Sequence, residues 1–191
     1  MAARILIVYE SKNGQTMKIA KFICDRLNQK GHSVELMSMN HLLPVTLSAY
    51  DGIIVGAPIY MRSYSRRLRK WIQQHAVDLN KKNSAFFSVC MQAMDRNESS
   101  QRDLLKLSED FFARTGWYPK RRKVFAGAIT FSHYNILIRF VMKRIAARSG
   151  KILDTHQDYE FTTWSEVERF SDEFGHSLRI REELNFEGAP I

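Results

Sequence analysis

Cysteine is scarce: the 191 residues hold only Cys24 and Cys90, with no metal-ligand spacing around either. That leaves no disulfide framework and no zinc site, and a reducing cytosol suits such a chain. Long apolar runs are missing too. No stretch approaches the ~20 residues of a membrane span, and the run after Arg4 is broken by Glu10 before it reaches the ~7 to 15 residues of an export signal. No Ser/His/Asp set or pair of carboxylates can be assigned from spacing, and His75, at helical spacing, reads as a packed residue. Acidic residues fail altogether between Phe111 and Leu153, where Arg114, Lys120 to Lys123, Arg139, Lys143, Arg144, Arg148 and Lys151 are basic. With a second cluster at Arg62, Arg66, Arg67, Arg69 and Lys70, the formal net charge is +9. Such a charge attracts nucleic acid, anionic membranes or acidic small molecules. No helix-turn-helix or aromatic-interleaved signature accompanies it, which argues against nucleic acid.

What is present is an alternation of strand and helix. The length suits one domain over 1–191. "ARILIVY" is a continuous apolar run, as in a strand covered on both faces. Ile19, Ala20, Ile23 and Leu27 then repeat at helical spacing as far as Gly31. "SVELMSM", "DGIIVGAPIY", "SAFFSVCM" and "KVFAGAI" read as four further strands. The spacing predicts helices over 63–79, around Leu104 to Phe112, and over 163–184. This order argues for a doubly wound α/β sheet that binds its ligand at the carboxyl ends of the strands. About thirty residues between "FAGAI" and the last helix exceed any simple connection and form an insertion, about 131–157.

The segment "YESKNGQTMKIAKF", Tyr9 to Phe22, follows the first strand. In it the Ser11 and Thr16 hydroxyls, the Asn13 amide and the N–H groups around Gly14 are placed to ring an anion at a helix start, where the first N–H groups lack partners. The ATP-binding and dinucleotide glycine patterns are both absent. One glycine with hydroxyls at both ends suits a terminal monophosphate such as that of FMN better than a pyrophosphate. The alternative is a capped helix start with Ser11 or Asn13 as N-cap and no ligand; the position directly after the first strand favours the ligand.

"SKNGQT" resembles the phosphate loop of the flavodoxin-like family, matching at Ser11, Gly14 and Thr16, with Asn13 in place of the family's middle threonine. More narrowly, "YESKNGQTMKIA", "YDGIIVGAPI", "SAFFSV", "VFAGAI", "RFVMKRIAARSGKILDT" and "YEFTTW" are similar to the bacterial quinone-linked protoporphyrinogen IX dehydrogenases of haem synthesis. The resemblance implies a flavodoxin-like five-stranded parallel sheet with a basic insertion associated with the fifth strand, and FMN as cofactor. It implies that Ser11, Lys12, Asn13, Gly14, Gln15 and Thr16 hold the phosphate, and that Pro58, Ile59, Tyr60, Ser88, Val89, Cys90 and Met91 border the ring, which Tyr60 or Tyr64 would cover. Cys90 itself reads as a small hydrophobe rather than a redox group. Two departures mark the ring loops: Tyr60, Met61 and Arg62 stand where the family usually reads Arg-Tyr-Gly, and Cys90 stands for an Asn.

The activity implied is oxidation of protoporphyrinogen IX to protoporphyrin IX, with electrons passed to menaquinone or ubiquinone from the cytoplasmic face of the inner membrane. The flavin carries that chemistry, which fits the lack of any assignable catalytic set. In the insertion, Leu137, Ile138, Val141, Met142 and Ile145 share one side of a possible helix with Arg139 and Lys143 opposite. It reads either as a helix in an anionic membrane interface or as one packed on the domain with a solvated basic face. Arg62, His133, Tyr134, Arg139 and Lys143 are the candidate contacts for substrate or membrane. A flavodoxin-like NAD(P)H:quinone reductase and an electron-carrier flavodoxin are the alternatives; such carriers are usually acidic, unlike this chain.

Overall fold

The computed structural model describes residues 2–41, 44–95, 97–129 and 159–187, residue 129 and residues 179–187 by backbone alone. The run RILIVY forms β1 (Arg4–Tyr9). Ile5, Leu6, Ile7 and Val8 are all fully buried, because side chains alternate between the faces of a strand and this one is covered on both. Ile5 and Ile7 enter a core with Ile19, Ile23, Phe87, Phe170 and Phe174, while Leu6 and Val8 enter a second with Leu68, Ile72, Phe86, Phe112 and Trp117. The first core lies under α1 (Gln15–Gln29) and α4 (Trp164–Glu187), the second under α2 (Arg66–Lys81) and α3 (Glu98–Thr115). Each fully buried side chain of this size contributes about 1.5–3 kcal/mol. The Trp117 indole is buried with its polar edge satisfied, its N–H donating to Ser84 Oγ at 3.0 Å.

The remaining strands of the sheet are β2 (Ser33–Ser38), β3 (Gly52–Pro58), β4 (Asn83–Cys90) and β5 (Arg121–Ala126). Their order is β2-β1-β3-β4-β5 with every neighbouring pair parallel, the five-stranded α/β sheet expected from the alternation. The chain leaves β1 towards β2 on one side and returns to β3 on the other. The loops after β1 and β3 therefore diverge, opening a crevice at the carboxyl edge.

Two of the differences from the expected boundaries bear on the site. The fifth strand ends at Ala126 rather than running through Ile129. Gly127 turns the chain by donating its N–H to Cys90 O at 3.2 Å and accepting from Phe161 N at 3.0 Å. Residues Ala128–Ile129 form β6, which pairs antiparallel with β7 (Tyr159–Glu160) as a separate ribbon. The second helix begins at Arg66, not Ser63, because Ser65 is its N-cap and accepts from Leu68 N at 3.1 Å. The insertion expected over 131–157, with His133, Tyr134, Arg139 and Lys143, lies outside the described residues.

Candidate cofactor site

The start of α1 carries no side-chain cap, unlike α2 and α3, which Ser65 and Asn97 cap. Gly14 occupies the N-cap position at φ +88°, a left-handed conformation that glycine adopts without a steric cost. A Cβ built there would meet nothing within 4 Å, so its backbone faces open space. Ser11 Oγ accepts the Gly14 N–H at 3.2 Å, which curls the loop on itself. The N–H groups of the first helical turn are left projecting from the helix end, the arrangement an anion needs. Ser11 and Asn13 are therefore not the helix caps that the ligand-free alternative requires. This loop fits a phosphate.

The other expected loop residues fall in different places. Thr16 is buried. Lys12 Nζ lies 5.0 Å from the centroid of the Tyr60 ring, joining the loops after β1 and β3 by a cation–π contact. Gln15 turns its buried amide away from the loop and donates to Thr162 Oγ1 at 2.8 Å.

Across the crevice, Pro58 ends β3 and Ile59 donates its N–H to Val89 O at 2.9 Å. Tyr60 and Ser63 exchange two backbone hydrogen bonds of 3.0 and 2.9 Å. Met61 and Arg62 make the intervening turn with φ of 47° and 56°, the positive pair that a two-residue hairpin needs and that Asn-Gly usually supplies. Tyr60 is partly exposed at this turn. Tyr64 is not available as ring cover: it is buried against Phe86 and Phe111, and its hydroxyl meets Ser108 at 3.3 Å. Arg62 is exposed and paired with Asp103 at 3.0 Å.

At the end of β4, Ser88 is buried, Val89 lies in the α1–α4 core, and Met91 opens a short 3-10 turn. Backbone, rather than the Ser88 or Val89 side chain, is what this strand end presents. Burial pushes the Cys90 thiol pKa up, against hydrogen bonds from the Ala93 and Gln92 backbone, so the thiol stays protonated, as a small hydrophobe should. His75, outside the site, packs at a tilt against Trp71 with centroids 4.9 Å apart.

Two residues absent from the sequence expectation help build the site. Glu10 donates its N–H to Gly56 O at 2.9 Å and accepts from Ser65 Oγ at 2.6 Å, bridging the crevice from β1 to the start of α2. Thr162 joins Gln15 to Ala126 O, to which it donates at 2.8 Å. Glu10 stands inside "YESKNGQTMKIA" and Thr162 inside "YEFTTW", two of the stretches that carry the family resemblance, but no spacing signals their contacts.

Comparison with known proteins agrees with this fold. The chain is 28% identical over 173 residues to the "Protoporphyrinogen IX dehydrogenase [quinone]" of Escherichia coli (strain K12), covering 91% of this chain and 95% of that protein. It is 27% identical over 177 residues to the protein of the same name from Leishmania major, covering 90% and 74% respectively. Among solved structures, a flavodoxin from the domain Archaea superposes with a TM-score of 0.56 at 15% identity, over 92% of this chain and 99% of that one, a likeness of fold alone. Residues 6–156 match the model of the flavodoxin domain. The chain therefore belongs to the flavodoxin domain family, and its cofactor is FMN.

Proposed function

We propose that the chain is an FMN-dependent oxidoreductase of haem biosynthesis, oxidising protoporphyrinogen IX to protoporphyrin IX and passing the electrons to menaquinone or ubiquinone. The observation that carries this reading is the identity to the E. coli dehydrogenase, which spans 95% of that protein's length. The family match also runs to residue 156, through the segment between β6 and β7, where the basic residues gather.

In this reading the FMN phosphate sits at the uncapped start of α1, held by the Ser11 hydroxyl and the backbone from Lys12 to Thr16, with Asn13 alongside. The ring occupies the crevice between the loop Pro58 to Tyr60 and the strand end Ser88 to Met91. Bound FMN supplies the hydride and electron chemistry, which no assigned side chain here provides. The protein's part is to hold, orient and shield. Tyr60 offers the flat aromatic surface, and Lys12 steadies that ring. The backbone of Cys90 and Met91 offers donors and acceptors.

Protoporphyrinogen is a large apolar dianion, and Arg62, at the exposed turn, is a candidate for one carboxylate; His133, Tyr134, Arg139 and Lys143 are candidates for the rest. No helix of the described residues is long and apolar enough to cross a membrane. Access to a lipid-dissolved quinone is therefore proposed through the basic segment 131–157, peripheral on the cytoplasmic face of an anionic inner membrane.

The test is anaerobic mixing of the purified yellow protein with protoporphyrinogen IX, followed by menaquinone or ubiquinone. Bleaching of the flavin by porphyrinogen and its return with quinone is the expected result. Bleaching by NADH or NADPH instead would overturn this reading in favour of a nicotinamide-fed quinone reductase. In a second arm, removal of 131–157 should abolish porphyrinogen oxidation and weaken vesicle binding while FMN stays bound.

A further inference from the structure

The phosphate loop needs a fixed position relative to the sheet, which Glu10 secures at its entry through Gly56 O and Ser65. The Ser11 to Gly14 hydrogen bond joins residues three apart, so it shapes the loop without anchoring it. At its exit, where α1 begins, an anchor comes from the far end of the chain. Gln15, the first residue of α1 and the neighbour of Gly14, donates from Nε2 to Thr162 Oγ1 at 2.8 Å, a bond between buried groups 147 residues apart. Thr162 Oγ1 in turn donates to Ala126 O, also at 2.8 Å. Because that hydroxyl has one proton and the carbonyl takes it, the Gln15 amide must face Thr162 as donor. The relay therefore has one direction, and it ends on the last residue of β5.

A second contact parallels the first. Lys18, one turn along α1, reaches Glu160 Oε2 at 2.7 Å. Burial alone would raise the Glu160 pKa, but the hydrogen bonds and charge of Lys18, with hydrogen bonds from Gln15 and Trp164, hold it below its ordinary value. Glu160 thus stays ionised and matched to Lys18 rather than presenting a loose negative charge beside an anion site. Phe161, between these two residues, donates its N–H to Gly127 O at 3.0 Å, which fixes the stretch 160–162 to the end of β5.

We propose that Thr162 is a positioning residue for the cofactor phosphate. It acts through Gln15, aiming the first N–H groups of α1 at the bound anion. The inference rests on the proposed seat of the FMN phosphate at Gly14. Hydrogen bonds to phosphate hold only over a few tenths of an ångström. A first turn released from β5 keeps its helix and its Gly14 conformation but loses that aim.

The phosphate itself provides the test, because riboflavin has the same ring without it. Dissociation constants for FMN and riboflavin would be measured by flavin fluorescence on the full chain stripped of flavin, in the wild type, Thr162→Val, Thr162→Ser and Gln15→Met. The expected result is that Thr162→Val, which removes the bonds to Gln15 and Ala126 O, and Gln15→Met, which removes those to Thr162 and Glu160, each lose about tenfold or more in FMN affinity. Their riboflavin affinity should stay within about twofold, and Thr162→Ser should keep the wild-type ratio. Equal loss of both flavins, or an unchanged FMN to riboflavin ratio in Thr162→Val, would overturn the proposal. If the valine variant does not fold, Gln15→Met and Thr162→Ser decide it in the same way. A wild type that binds riboflavin as tightly as FMN would instead overturn the phosphate seat, and this inference with it.

Discussion

The tip of the Phe87 ring lies over Gly56, its neighbour in the β3–β4 register, so that a Cβ on Gly56 would stand 2.2 Å from Phe87 Cζ. The ring has nowhere to swing, since Phe125 and Phe170 pack around it at centroid distances of 5.9 and 6.3 Å. Gly56→Ala should therefore destabilise the fold by about 1–3 kcal/mol, the usual cost of overpacking. Because Gly56 O also holds Glu10 N, FMN affinity should fall with it. In a double-mutant cycle with Phe87→Leu, measured by urea unfolding, the combined loss should be smaller than the sum of the single losses.

Arg26 grips Asp172 with two parallel hydrogen bonds of 2.8 Å and also reaches Glu168 at 2.9 Å, tying α1 to α4. The hydrogen bonds from Arg26, with the charges of Arg26 and Lys30, hold the Asp172 carboxyl below its usual range against the opposing effect of burial. A group whose folded pKa is depressed stabilises the protein above its unfolded pKa, and that contribution disappears as pH falls through the folded value. The pair is substantially exposed, so Asp172→Asn should cost less than about 1 kcal/mol at neutral pH. Wild type and variant should converge in denaturant midpoint on acidification below roughly pH 4, the ordinary carboxylate range. A gap that persisted at lower pH would show that the pair's charge is not its source.

Gly14 should resist substitution for a reason of backbone rather than space. With φ at +88° and nothing near a built Cβ, alanine meets no neighbour but pays about 1–2 kcal/mol for the left-handed conformation. Gly14→Ala should weaken FMN binding by about tenfold or more, and Gly14→Asn, better tolerated in that region, by less. Fluorescence titration of the two variants orders them.

At the hairpin after β3, Met61 and Arg62 both hold positive φ without being glycine. Met61 is 98% exposed and Arg62 has only a surface ion pair. Replacing the two by Asn-Gly should therefore raise the stability by about 1–2 kcal/mol, since little packing is lost and the turn strain is relieved. A thermal melt of the flavin-free protein measures it, and a lower melting temperature would mean that these side chains carry an unseen load.

The three central strands were legible because β1, β3 and β4 are buried on both faces, so Ile5 to Val8, Ile53 to Val55 and Ala85 to Phe87 appear as unbroken apolar runs. The turn at Gly14 was legible because a lone glycine at a strand-to-helix junction marks a backbone of positive φ, which Gly14 has at +88°. Tyr60 and Tyr64 were indistinguishable in sequence, since both are aromatic residues at the entry to α2. Only the placement of Ser108 and Phe111 on α3 assigns Tyr64 to the core. The β6–β7 ribbon escaped notice because two residues per strand are too short for any period. Glu10 and Thr162 escaped because their partners lie 55 and 147 residues away, beyond the reach of any local pattern.

The single direction shared by all five strands leaves the molecule with one working end and one idle end. The turns at Gly31 and Gly116 lie at the idle end, where β2 and β5 are entered, and the loops that frame the crevice all lie at the other. A bead, dye or electrode linker attached beside Lys30 or Tyr118 would stand about a strand's length, roughly 20 Å, from the cofactor loops. Immobilised that way, the protein would present its redox face outward to whatever supplies or takes its electrons.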